Sequence, residues 1–307
     1  MIIWKPLELK KLQGLYSKKD NWETDYQFSG RVSRLFKKSP ESIRWQVRQF
    51  HRGAEVRFPK IGLLDIETLP LLTSVWGTKK QYISPVQVEK DWSIVCWSAK
   101  WLFSDRIEGE VATPKEAIAH TDKSIMGGIW DFVNEADIVI TYNGDGFDLK
   151  RLNWRWLVNG FPRPMYYKSI DLYKTMTENF DATYNKMDWV NDVLGIGRKI
   201  QTSFYWWKEC QQGNKTYLNK MLEYNMQDVN ILEELYLKLR PWISNHPNIN
   251  VFSSDGSLER CKNCGELGLK WDGKYSTPLG LYRGYRCQRC GAIGRNVQKK
   301  YKLQGLR

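Results

Sequence analysis

Over the first sixty residues apolar side chains recur at helical intervals. Leu7, Leu12 and Leu15 mark one helix, Phe28 to Phe36 spans a second, and Ile43, Val47 and Phe50 share one face of a third. The third has the clearest start, because Ser39 is placed to cap it and Pro40 takes the first helical position, where a missing N–H costs nothing. From Pro59 the period changes. Ile61 to Ile66 is a short apolar run suited to a buried strand, and Ser93 to Ala99 suits another. A helix is predicted after Thr113-Pro114, a strand over 137–141 before the turn Asn143-Gly144-Asp145-Gly146, and one more strand from Ser169 to Leu172. Thr216 to Arg240 reads as a long helix with Leu218, Leu222, Val229, Leu232 and Tyr236 along one stripe, ended by Pro241. Beyond His246-Pro247-Asn248 no helical period survives, and Gly, Cys and basic residues take over.

These shifts predict three units: a helical module over 1–57, an α/β domain over 58–245 and a small domain over 246–307. In the first, Arg44 and Arg48 fall on the face opposite the apolar stripe of a basic third helix, an arrangement that resembles a helix-turn-helix nucleic-acid-binding module. A helical cap with solvated arginines is the alternative.

No stretch approaches the roughly 20 apolar residues that a spanning helix needs, and the start of the chain has no secretory pattern. No membrane association and a cytoplasmic location are therefore expected. The net charge of +13 is unevenly spread. Both flanks, 1–60 and 250–307, are strongly basic, while the segment between them is slightly acidic. A catalytic centre delivered to a polyanion fits that distribution, so nucleic acid is the expected partner.

The acidic centre carries three short motifs in order. Asp65-Ile66-Glu67 ends the first predicted strand, where alternation sends both carboxylates to one side. Asn143-Gly144-Asp145-Gly146-Phe147-Asp148 leaves another strand, with Asp148 opening a helix. Tyr224-Asn225-Met226-Gln227-Asp228 lies on the long helix, so Tyr224 and Asp228 are one turn apart on one face. Converging carboxylates repel one another unless a cation joins them.

In this order the motifs over residues 60–240 resemble the tyrosine variant of the DEDD exonuclease superfamily, the RNase H-like enzymes that include family B DNA polymerase proofreading domains and stand-alone phage-type exonucleases. The histidine variant places His five residues before the last Asp, where this chain has Glu223. The resemblance implies an RNase H-like α/β fold and 3′-to-5′ hydrolysis of DNA with two Mg²⁺ or Mn²⁺ ions. It implies that Asp65 bridges both ions, that Glu67 and Asp228 complete the site that activates water, that Asp148 helps hold the second ion, and that Tyr224 orients the water. Replication or repair proteins are conceivable partners of such an enzyme.

Lesser candidates surround this set. Asn143 is read either as a substrate contact or as ordinary turn chemistry. Asp171 follows a predicted strand and can support the acids from behind. Lys199 follows a glycine-bearing turn and is placed to meet a phosphate, or is simply solvated. Phe204-Tyr205-Trp206-Trp207 are either core or a stacking platform for splayed bases.

Cys261-Lys262-Asn263-Cys264 and Cys287-Gln288-Arg289-Cys290 are two CxxC pairs, each followed by glycine. Two such pairs complete the tetrahedral thiolate set of one structural Zn²⁺, and the intervening segment suits the hairpin of a zinc ribbon. No position is left open for chemistry. Arg286 and Arg289 within this basic domain are expected to contact nucleic acid. Cys96 is expected to be a buried strand residue, and Cys210 has no assignable role. The whole reads as an RNase H-like α/β core between a helix-turn-helix-like module and a zinc ribbon. An exoribonuclease, and a DNA-binding regulator using the nuclease fold as a scaffold, are the rival readings.

Overall fold

The computed structural model describes residues 6–16, 25–50, 59–197, 200–252, 259–278 and 280–299. By its contacts the chain forms two units, one of Met1–Pro59, Phe103–Arg106 and Asn245–Arg307, the other of Lys60–Leu102 and Ile107–Ser244.

In the first unit, helices α1 (Pro6–Tyr16), α2 (Asp25–Phe36) and α3 (Pro40–Phe50) gather Leu12, Phe28, Val32, Phe36, Ile43 and Val47 into a small core. Ser39 caps α3 as expected, its Oγ accepting from the Ser42 amide at 3.1 Å. The expectation for Arg44 is corrected. Its side chain is 1% exposed and donates to Ser29 Oγ at 2.9 Å. Both α1 and α2 pack on α3, so the covered arc is wider than the Ile43/Val47 stripe and takes in Ser42 and Arg44 as well. A guanidinium so enclosed serves the packing of the helices, not a phosphate. Arg48 lies on the same helix, and its side chain is outside the described part of the structure.

The second unit is built on a five-stranded mixed sheet. Its strands are β1 (Ile61–Leu69), β4 (Ser93–Trp101), β5 (Ile107–Val111), β6 (Ile138–Thr141) and β7 (Lys168–Asp171), and a two-stranded hairpin of β2 (Leu72–Thr73) and β3 (Val88–Lys90) stands beside them. The order is β5-β4-β1-β6-β7, with β1 antiparallel to β4 and parallel to β6. Helices follow in the sequence α4 (Pro114–Ala119), α5 (Lys123–Glu135), α6 (Asp148–Val158), α7 (Leu172–Asn179), α8 (Met187–Val193), α9 (Phe204–Gln211) and α10 (Lys215–Leu239). Even-numbered positions of β1, Leu64 and Ile66, share a core with Ile129 of α5 and Leu152 of α6. The odd-numbered Leu69 joins Cys210 of α9 and Leu218 and Met221 of α10. Sheet faces and helices thus alternate as period-two strands require.

The pairing of β1 with β4 is irregular at one place. Glu67 faces Cys96 and Thr68 faces Ile94, so Val95 is an extra residue, and Val95 and Cys96 both fall on the α10 side. Asp122, ahead of α5, accepts from the Ile94 amide and from Arg155 of α6 at 2.6 and 2.8 Å, tying three elements together in the interior.

The helix predicted after Thr113-Pro114 is present, capped by Thr113. It stops at His120, which takes a left-handed conformation, and a second helix, α5, follows. Neither α5 nor β5 was evident from the apolar pattern. Helix α5 carries Gly127 and Gly128 in its middle, where glycine weakens a helix. A Cβ on Gly128 would lie 2.7 Å from the Trp97 ring, so glycine allows the helix to close on β4.

The C-terminal part of the first unit is a three-stranded antiparallel sheet, β8 (Leu269–Thr277), β9 (Gly280–Cys287) and β10 (Ile293–Lys299), with β9 central. No described helix is long and apolar enough to cross a membrane.

Candidate active site

Strand β1 presents Asp65 and Glu67 on the face that α10 covers, and α10 brings Asp228 to them. One carboxylate oxygen from each of the three lies within 4.8 Å of the others. Asp228 is buried, whereas Asp65 and Glu67 are half-buried. Asn225, one turn before Asp228, donates through Nδ2 to Asp65 Oδ2 at 2.6 Å. Its buried Oδ1 has no hydrogen-bonding partner among the described residues, an acceptor left beside an acidic cluster. Three hard oxygen donors and an orphaned amide oxygen are the donor set that a divalent cation takes.

Tyr224 also sits one turn before Asp228, packed at the edge of the α10 core. Burial first, then the charges of Asp228, Glu67 and Asp65, push its hydroxyl far above the ordinary tyrosine range, so the group stays protonated. It can donate a hydrogen bond but not act as an anion.

Asp148 is at the first position of α6, as expected, but it does not join the other three. Its Oδ1 accepts from the Ile66 amide at 3.2 Å, between the two acids of β1. Enclosure raises its pKa to about 7, with nearby Asp171 adding to the rise and two backbone hydrogen bonds opposing it. The turn ahead of it depends on glycine: a Cβ on Gly144 would come 2.2 Å from Thr141 Oγ1. Asn143 is in the left-handed region at φ 64°, and its amide donates to Asp171 Oδ1 at 2.7 Å, which favours the turn over the substrate contact. Asp171 also accepts from the Asp145 amide and caps α7 through Tyr173 N, so it supports the loop that carries Asp148.

A cavity of about 520 Å³ opens at the end of β1, lined among others by Thr68, Leu71, Trp92, Arg151, Phe204 and Trp207. The four aromatics of α9 divide: Phe204 and Tyr205 are exposed by more than half, while Trp206 and Trp207 pack against the core. Neither Asn225 nor Arg151 was singled out from the sequence. Asn225 had a signal, its three-residue offset from Asp228 on one helical face; Arg151 had only its place one turn after Asp148. Lys199 lies outside the described residues.

Cys96, opposite Glu67 in the strand register, is fully buried, and burial together with Glu67 and Asp65 raises its thiol well above the usual range. It is a packing residue. Cys210 is buried in the same core.

The second cluster is Cys261, Cys264, Cys287 and Cys290, whose sulfurs also lie within 4.8 Å of one another. Cys261 Sγ is 3.6 Å from Cys290 Sγ, and Cys264 Sγ is 3.7 Å from Cys287 Sγ. Four thiolates about 2.3 Å from a central Zn²⁺ stand about 3.8 Å apart, so the spacing suits that ion. The amide of Gly265 donates to Cys261 O and that of Gly291 to Cys287 O, the same tight turn in both pairs. Arg286 is exposed, and its Nη1 donates to Gly291 O at 3.4 Å. Arg289 is corrected. It forms an ion pair with Glu266, both side chains about nine-tenths covered, and so braces the ribbon from within.

The profile of the RNase_H superfamily matches residues 104–240. That range is under half of the chain; it includes Asp148, Tyr224 and Asp228 but not the strand of Asp65 and Glu67. No curated protein matches the sequence. Among solved structures the chain is similar to the family B DNA polymerase of the hyperthermophilic archaeon Pyrobaculum calidifontis, at 18% identity and a TM-score of 0.44. The likeness covers 74% of this chain and 32% of the polymerase, so the chain spans about a third of that protein's length, and the superposition is too loose to bear on function. The mixed sheet, its flanking helices and the matched region are those of an RNase H-like fold.

Proposed function

We propose that the chain is a metal-dependent nuclease that removes nucleotides from the 3′ end of a DNA strand. The observation that carries this reading is the meeting of Asp65 and Glu67 from β1 with Asp228 from α10, carboxylate oxygens within 4.8 Å. Converging carboxylates repel one another, and a divalent cation held among them relieves that repulsion.

Asp65, Glu67 and Asp228 would hold Mg²⁺ or Mn²⁺, and Asp148 would help to hold a second ion. When bound, the ions supply a water acidic enough to attack at neutral pH and spread the charge on the scissile phosphate. The chain's own contributions are positional. Asn225 fixes the Asp65 carboxylate. Tyr224, protonated, directs a hydrogen bond towards the attacking water. The cavity at the end of β1 receives the strand, with Trp92, Phe204 and Trp207 available to stack on bases. The helical module of 1–57 and the ribbon of 246–307 add positive charge that neutralises phosphates, and the ribbon carries one structural Zn²⁺.

The test is digestion of end-labelled single-stranded DNA, duplex DNA and RNA with Mg²⁺ or Mn²⁺. A ladder shortening from the 3′ terminus of DNA is expected. Cuts within a circular substrate would replace exonuclease with endonuclease, faster loss of RNA would make the enzyme a ribonuclease, and no hydrolysis of any substrate would remove the catalytic reading.

A further inference from the structure

Arg151 and Arg155 are one turn apart on α6 and live in opposite surroundings. Arg155 is locked in the interior by both oxygens of Asp122. Arg151, one turn after Asp148, is half-buried in the wall of the cavity at the end of β1. Its Cζ lies over the Trp92 ring at 4.4 Å and the Phe147 ring at 4.3 Å, and its Nη1 donates to Thr68 Oγ1 at 3.3 Å. Trp92 and Thr68 line the same cavity.

A guanidinium has five N–H donors in one plane, and the threonine hydroxyl takes one of them. Among the described residues no carboxylate pairs with Arg151; Asp148 and Asp91 act on it only at longer range. Two rings and a hydroxyl hold the group in place in the lining of a cavity, and among the described residues the Thr68 hydroxyl is the one acceptor its side chain meets. Ordering costs have been met before any ligand arrives, which is the condition in which a planar fork binds an oxyanion well.

We propose that Arg151 is a phosphate-binding residue of the groove: its remaining donors take the oxygens of one backbone phosphate of the strand lying along Trp92, and so hold that strand in register with the acids. The inference rests on a nucleic-acid substrate, and it adds a residue and a defined linkage to that reading.

The test uses the full chain, a fluorescein-labelled single-stranded oligonucleotide and Ca²⁺ under conditions where no cleavage products form. Arg151→Met should weaken binding about tenfold and flatten the slope of log K against log salt by about 0.7, the contribution of one phosphate of a single strand. Arg151→Lys should keep the slope and lose part of the affinity, because an ammonium cannot fork. A single neutral methylphosphonate, moved along the last five linkages, should weaken the wild type at one position and make no difference there to Arg151→Met. Affinity and slope unchanged in Arg151→Met, or a linkage penalty that persists in it, would overturn the inference. If melting curves show that Arg151→Met does not fold, Arg151→Lys is read against the same scan, and wild-type affinity together with indifference to every linkage overturns it. A wild type that binds but never cuts would sink the nuclease reading and leave Arg151 standing, whereas a wild type that cuts while Arg151→Met binds as well as it does would sink this inference alone.

Discussion

The cysteine cluster draws its four ligands from one short stretch, two tight turns meeting at one end of a small sheet, while the acidic cluster joins a strand at residue 65 to a helix at residue 228. The cysteines close on themselves: three are buried and the set leaves no free corner of a tetrahedron. The acids are less enclosed: Asp65 and Glu67 are half-exposed, and a cavity begins at Thr68, the next residue of β1. A closed ligand set holds a fold together and an open one leaves room for a reacting molecule. The two sites should therefore fail in different ways.

The largest separation is expected from Asp228→Asn, which keeps the volume and removes a charge. Hydrolysis should fall by roughly a thousandfold or more, the loss of several kcal/mol of charge stabilisation, with little change in melting temperature. Single-turnover cleavage and a thermal melt on the same sample check both halves; wild-type rates in the variant would dissolve the assignment of the acids. Next is Cys261→Ser, which should do the reverse. A structural zinc site of this kind contributes about 10–16 kcal/mol to folding, so residues 259–299 should become open to protease while residues 60–244 stay resistant. Zinc content of the wild type by elemental analysis should be one per chain, and a protein purified without zinc whose ribbon resists protease would break the comparison.

A smaller effect sharpens the open site. Tyr224→Phe should keep metal and strand binding and lose kcat by about 10- to 100-fold, the cost of a displaced water hydrogen bond. Loss in KM alone would move the hydroxyl from water positioning to strand binding. The smallest effect concerns Asp148 in protein stripped of divalent ions. Its pKa is raised to about 7 from 3.8, so the folded state holds a proton that the unfolded state has released, and stability falls as pH rises between those values. Asp148→Asn should remove that fall and raise the melting temperature at pH 8, by an energy of at most about 4 kcal/mol. A variant that melts below the wild type at pH 8 would show that the carboxylate is favourably paired when charged.

Much of the contrast is legible in the residues themselves. CxxC pairs bring their thiolates together by local turns, and the i, i+4 spacing of Tyr224 and Asp228 and the alternation of Asp65 and Glu67 are local periodicities as well. What is not legible is what depends on third parties. Arg44 looks solvent-facing on an isolated α3 and is covered because two other helices pack there. Arg289 looks like a phosphate contact until Glu266 is folded against it. Strand β5, with Glu108, Gly109 and Glu110 in its middle, has little strand propensity, yet Gly109 fits where a Cβ would come 2.8 Å from Trp97 O. Arg151 stood in plain sight in the sequence, but its partners Trp92, Phe147 and Thr68 come from three different places.

The extra residue at Val95 sets a limit on how this site can be rebuilt. Cys96 faces Glu67 and Ile94 faces Thr68, so the residues on either side keep their partners on β1, and Val95 is added to the layer that Cys96 shares with α10. Deleting Val95 would make the ladder regular and keep those pairings at the cost of one buried side chain, whereas deleting another residue of β4 would shift the register of one end and turn its side chains to the other face. An alignment can therefore place a lone gap at Val95 and keep the register, while a lone gap elsewhere in the paired residues of either strand breaks it. For transplanting the site into another scaffold, the portable unit is the mismatched pair of strands with its helix, and the tripeptide Asp65-Ile66-Glu67 by itself carries none of the geometry.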